Sequence, residues 1–132
     1  MSFDTVLQQI IYDNLSNDAP LLAVVTGVFD NVPQSTDYPY VVIGEDTLTN
    51  WDTDTELGTN CTCVIHTWSR YQGKLETKQI QGLIYESLHR ANLTASGYNI
   101  VDVQFESSDS FLDVDGLTRH GISNFRVLIE EL

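Results

Sequence analysis

Cys61 and Cys63, with His66 three positions further on, form the densest grouping of side chains that could act as nucleophile or metal ligand. Alternate residues of a strand share a face, so the two cysteines point one way and His66 the other. Zinc sites use paired spacings such as Cys-x2-Cys, and no second pair exists here. Two cysteines one residue apart are also too close in sequence for an ordinary disulfide, which fits a reducing compartment. They are read as small buried apolar side chains. A hydrolase using one of these thiols with a histidine is the minor alternative.

The carboxylates are the second candidate. Asp52, Asp54 and Glu56 resemble the start of a calcium loop, but the sixth and twelfth positions are Leu57 and Cys63 instead of Gly and Glu. Phe111, Asp113, Asp115 and Gly116 give another near-match, spoiled by Phe111 at the first position and Ile122 at the twelfth. Both read as solvated acidic loops. His89 and His120 have no carboxylate or serine at a recognisable spacing, and neither a nucleophile elbow nor a phosphate loop is present. Trp51 and Trp68 are assigned to the core ahead of an interface. The expectation is therefore no catalytic residue, no metal and no cofactor.

Charge gives a different kind of information. The chain has 19 acidic and 6 basic residues among 132, a net charge of −13. Affinity for DNA comes mainly from cations that displace condensed counterions, so a sequence-reading DNA-binding role is excluded. The same sign suits a protein that stands beside DNA without holding it. Arg70, Lys74, Lys78 and Arg90 fall between positions 70 and 90, where the acids are Glu76 and Glu86. Glu45 to Glu56 holds five acids and no base. A subunit with a basic edge and an acidic loop can pair with copies of itself head to tail, which closes rings.

The elements that must carry these residues follow from hydrophobic period. Phe3, Val6, Leu7, Ile10, Ile11 and Leu15 predict an amphipathic helix over 3–16. Asn17 to Pro20 starts a short second helical turn, 20–25, which Gly27 closes. Positions 28–39 have loop chemistry with a brief strand at Val28-Phe29. Tyr40 to Trp51 reads as a long strand with a bulge near Gly44, and 60–71 as its partner across a wide acidic loop, Asp52 to Gly58. Ile80, Leu83, Ile84, Leu88 and Ala91 share one stripe of a helix over 74–91. Tyr98 to Phe105, continuing irregularly through Asp113, and Thr118 to Glu130 are strands around the Asp115-Gly116 turn.

The order α-β-β-α-β-β predicts an α+β domain: an antiparallel sheet of about four strands with helices packed on one face. One domain, 1–132, accommodates the length and the 42% hydrophobic share. The first residues lack the basic start and apolar run of a signal peptide, and no stretch approaches the ~20 apolar residues that span a bilayer. No membrane partner is expected.

Several segments resemble a known family. Tyr38-Pro39-Tyr40-Val41-Val42-Ile43-Gly44-Glu45 is similar to the strand-opening motif of the tail terminator, or tail completion, proteins of siphophages and gene transfer agents. His66-Thr67-Trp68-Ser69-Arg70-Tyr71, with Gly73, Glu76, Lys78 and Ile80, resembles that family's second strand and following helix. Leu88-His89-Arg90 with Leu93, Asp113 with Asp115-Gly116-Leu117-Thr118-Arg119-His120-Gly121, and Phe125-Arg126 resemble its C-terminal half.

The resemblance implies a non-enzymatic virion protein without cofactor. It would form a hexameric ring on the head-proximal end of the tail tube, stop polymerisation of tube protein and offer a surface to head-completion proteins. Its partners would be copies of itself, the tail tube protein and the head-completion or stopper protein, with DNA only as passing cargo. Its place would be the head–tail junction of the virion. Under this reading Arg70, Lys74, Lys78 and Arg90 are expected at subunit contacts. Asp52, Asp54 and Glu56 are expected to face the channel or the adjoining ring. Another head–tail connector or minor tail component on a similar scaffold is the alternative.

Overall fold

The computed structural model describes residues 2–132. Helix α1 spans Phe3–Ser16, α2 Ala19–Leu22 and α3 Leu75–Leu88. The strands are β1, Val28–Phe29; β2, Tyr40–Asn50; β3, Gly58–Ser69; β4, Tyr98–Leu112; and β5, Arg119–Glu131. No helix among the described residues is long and apolar enough to cross a membrane.

Local chemistry sets the helix starts. Ser2 Oγ accepts the Thr5 backbone N–H, and the Ser2 N–H donates to Thr5 Oγ1 at 3.1 Å, a reciprocal box that closes the first turn of α1. Asp18 does the same for α2, accepting the Leu21 N–H at 3.0 Å, with Pro20 in the first turn where its missing donor is harmless. Helix α3 has no side-chain cap at Lys74. It ends at Leu88, where Arg90 turns the chain with φ of 58° and gives its N–H to the Val103 carbonyl at 2.8 Å.

The sheet corrects the expected count and direction. It has five strands in the order β1-β2-β3-β5-β4, and β1 runs parallel to β2 while the remaining pairs are antiparallel. The two-residue strand Val28-Phe29 is therefore a real edge of a mixed sheet. Thr26 and Gly27 dock the incoming chain on β2: the Thr26 N–H donates to Pro39 O at 2.9 Å, and Val41 N–H to Gly27 O at 3.1 Å. Bulges interrupt β2 between Ile43 and Asp46, and β4 between Ile100 and Asp102 and between Phe105 and Ser107. They account for the irregular reading of both strands.

All helices serve one face. Val41 and Ile43 of β2, Cys61, Cys63 and Ile65 of β3, Val103 of β4, and Phe125, Val127 and Ile129 of β5 are buried on it. Above them lie Val6, Leu7, Ile10, Ile11 and Leu15 of α1 and Ile80, Ile84 and Leu88 of α3. Helix α1 sits over β1 and β2, α3 over β3, β5 and β4. The two helices are joined by Asn14, whose Nδ2 donates to Ser87 O and Oγ.

Candidate functional site

The second face of the sheet has no helix on it, and its chemistry is unlike the first. The bulge on β2 sets two residues, Gly44 and Glu45, against the single Val64 of β3 and turns Glu45 toward this open face. Gly44 is needed beside it, because a Cβ there would stand 2.5 Å from the His66 ring. His66 Nε2 lies 2.6 Å from Glu45 Oε1, and His66 Nδ1 lies 2.7 Å from His120 Nε2. One arrangement of protons satisfies both contacts: His66 donates to Glu45 and accepts from His120.

Aromatic rings hold this line in place. Trp68 stacks on His120 with centroids 3.8 Å apart and planes 11° from parallel, and Phe111 meets His120 edge-on at 5.0 Å. The Glu45 carboxyl is held below its usual range by its own backbone N–H and then by His66. His120 is pushed below its ordinary value of 6.5, first by burial and then by repulsion from His66. Two rings sharing one hydrogen bond cannot both be protonated without breaking it.

The geometry is a carboxylate–imidazole–imidazole line, with no serine, threonine or cysteine hydrogen-bonded to His120 among the described residues. Cys61 and Cys63 lie on the helix-covered face, as strand parity predicts, and burial pushes the thiols up to about 11 and about 12. Such thiols are inert at neutral pH. Farther along the open face stands Arg126, between Thr62 of β3 and Gln104 of β4. Its Nε, like Oδ1 of Asn60, is shielded from solvent without a hydrogen-bond partner among the described residues.

The tryptophans need correcting. Neither Trp51 nor Trp68 belongs to the hydrophobic core; both are half-buried, Trp68 in the open-face stack and Trp51 at the start of the acidic loop. His89 serves the fold itself. Its Nδ1 accepts the Phe105 N–H at 3.0 Å, a donor freed by the β4 bulge.

The residues expected to make contacts are distributed as follows. Arg70 lies over the Tyr38 ring at 4.5 Å and donates through Nε to Thr118 Oγ1 at 3.3 Å, so part of its bonding is internal. Lys74 and Lys78 are exposed one turn apart at the start of α3. Arg90 is separated from them by the length of α3, about 21 Å from Lys74 to Leu88 at 1.5 Å per residue. It is not part of their cluster. In the acidic loop, Asp52 Oδ1 accepts the Gly58 N–H at 2.9 Å, and Thr53 and Glu56 close a turn through Thr53 N–H to Glu56 O at 2.8 Å. Asp54 and Glu56 carry their charge into solvent. Loop and lysines stand at opposite ends of β3, about 36 Å apart along its 12 residues.

Comparison with known proteins gives the family. Residues 9–130 match the model of the family described as tail completion protein gp17. The chain belongs to the tail completion protein gp17 family. It is a structural virion protein of the tail-completion class. The tail completion protein gp17 of Bacillus phage SPP1 is 31% identical over 123 residues, 93% of this chain and 91% of the relative. A chain in the virion of a native gene transfer agent particle has the same fold with a TM-score of 0.90 at 26% identity, covering 98% of this chain and 99% of that one. The solved bacteriophage SPP1 gp17 protein gives a TM-score of 0.62 at 28% identity, covering 93% of this chain and 88% of that one.

Within this tail completion protein, the Glu45–His66–His120 line is the feature that reading residues along the chain missed. His66 and His120 are 54 positions apart, and only the β3–β5 register, with Trp68 opposite His120, brings them together. The available signal was Gly44: a glycine inside a long strand often marks close approach by another group.

Proposed function

We propose that this tail completion protein works as a terminator ring: copies close into a hexamer on the head-proximal end of the tail tube, stop its growth and present a landing surface to the head-completion protein. The observation that carries the reading is the likeness along essentially the whole chain to a component of a gene transfer agent virion, together with the family match over residues 9–130. Its place is the head–tail junction, and DNA passes through without being bound.

The charge layout supports self-association. A chain at −13 repels its copies almost everywhere, and the cationic residues Arg70, Lys74 and Lys78 stand at one end of β3 while Asp52, Asp54 and Glu56 stand at the other. Head-to-tail contact of such ends is heterologous and closes when the rotation between copies allows. The tip of the acidic loop then borders the channel or the adjoining ring, where carboxylates keep phosphates moving. Arg90, remote from the other cations, meets a separate part of the neighbour.

Lys74→Glu with Lys78→Glu tests the contact. Both side chains are exposed, so the fold survives. Sedimentation and electron microscopy of assembled tails are expected to show the protein lost from tail ends and overlong tubes. Rings of unchanged mass at normal tail tips would refute the contact role. A native particle imaged without this chain at the junction would sink the whole reading.

A further inference from the structure

The two ends of the sheet differ in charge but share an unusual feature, exposed aliphatic side chains. At the cationic end the turn between β4 and β5 is tied internally. The Asp113 N–H donates to Thr118 O at 2.8 Å, and Asp115 accepts the N–H groups of Leu117 and Thr118 and the Thr118 hydroxyl. These bonds, Thr118 first, hold the Asp115 carboxyl down at about 2. On this fixed tip Val114 is fully exposed and Leu112 and Leu117 about half so, beside exposed Tyr71 and Leu75. Four of the six cations, Arg70, Lys74, Lys78 and Arg119, lie in the segments at this end, residues 69–78 and 112–119, against the acids Glu76, Asp113 and Asp115.

At the opposite end Leu57 is exposed, as is Leu132, the residue after Glu131, whose N–H donates to Leu57 O at 2.9 Å. Asp52, Asp54, Glu56, Glu130 and Glu131 surround them, with no Lys or Arg in these segments. Resting on the ring reading above, we propose that the β4–β5 tip of one copy docks, through Val114 and Leu117, on the Leu57 end of the next copy.

Charge complementarity selects the occupant. Counted over its segments, the tip's end of the sheet carries more cations than acids, whereas the Leu57 end carries five acids and no cation around exposed leucines. A rigid apolar knob loses little entropy on docking, and its guanidinium and ammonium neighbours give direction to the encounter. Continuing the sheet from copy to copy is the competing geometry. It would set Asp102, Glu106 and Asp109 of the β4 edge against Glu45 and Asp46, on the stretch of β2 that the two-residue β1 leaves uncovered, and like charges across strands repel.

The test uses particles whose tail completion protein carries Val114→Cys and Leu57→Cys together, with each single variant as control; Cys61 and Cys63 are buried and stay silent. Mild oxidation is expected to give denaturant-resistant multimers rising in steps of one 14.8 kDa chain for the double variant and none for the singles. Dimers from Val114→Cys alone, a bond to a different virion protein, or monomers only while rings are visible on the tails would each overturn the docking and leave the ring standing. Absence of any ring in those particles and in native ones would instead overturn the ring reading, and the docking with it. As a second measure, Val114→Asp is expected to lower ring occupancy of tails about tenfold or more; full occupancy would contradict the proposal.

Discussion

Phe125 and Arg126 are neighbours in β5, yet one is wholly buried under the helices and the other sits on a face that no helix covers. The same alternation runs through β3, where Cys61, Cys63, Ile65 and Thr67 point inward and Thr62, Val64, His66 and Trp68 outward. One face is closed by hydrophobic contact and determines whether the chain folds. The other is polar and aromatic and half-exposed. A strand with period two lets both be specified within one stretch of sequence without conflict.

Phe125→Ala should have the largest effect. Its ring meets Phe105 edge-on at 5.7 Å and is closed off from solvent. Removing it leaves a cavity and costs about 3–5 kcal/mol, read as a lower urea midpoint at unchanged m-value. A loss under about 1 kcal/mol would show that this face is not the core on which the domain depends.

Gly121→Val comes next. The inner face is polar near this end: a Cβ on Gly121 would stand 2.7 Å from Gln81 Nε2 and 2.8 Å from Thr77 Cγ2. Gln81 Nε2 donates to Asp109 O, so displacing it breaks this half-buried bond as well as overpacking α3 against β5. The expected cost is about 1–3 kcal/mol, measured by thermal denaturation. Unchanged stability would mean that α3 lifts freely from this part of the sheet.

A milder test uses pH on the open face. His120 is held below 6.5 in the folded chain, so the unfolded chain takes up the proton first. The stability contributed by the neutral ring is complete above that value. It is lost as pH falls from about 6.5 toward the folded-state value and is constant below it. Glu45, whose folded value is lowered, adds a separate loss at lower pH, below its ordinary 4.5. Equilibrium unfolding between pH 7 and pH 5 should show a decline that His120→Asn flattens; an identical decline in the variant would move its origin elsewhere.

The sequence disclosed the inner face far better than the outer. Period alone located α1 and the stripe of α3, because Ile10, Leu15, Ile80 and Ile84 answer to one local rule. The parity of Cys61 and Cys63 against His66 was equally readable. The parallel pairing of Val28-Phe29 was not: two residues carry no period, and their place depends on backbone bonds from Thr26 and to Gly27. Trp68 looked like core because a large ring favours burial, whereas the partner it found, His120, lies across the register of β3 and β5. Of the expected contact residues, Lys74 and Lys78 are one turn apart in any helix, while the separation of Arg90 from them became a distance only once α3 was placed.

Arg126→Gln should change stability least, and for that reason it probes the comparison most closely. On a covered face, losing a long cation from mid-strand would leave a gap and an unbalanced neighbour. Here the guanidinium has no ion pair among the described residues, and its Nε is already without a partner, so little bonding is forfeited. Glutamine retains much of the stem between Thr62 and Gln104 and removes a charge that the free chain has partly desolvated. The urea midpoint should correspond to a change within about 0.5 kcal/mol in either direction. A loss above about 2 kcal/mol would mean that Arg126 is part of a buried network and that the open face is a second core. Unchanged stability with altered tail occupancy would assign the residue to assembly, where a neighbouring molecule supplies the acceptor that the isolated chain lacks.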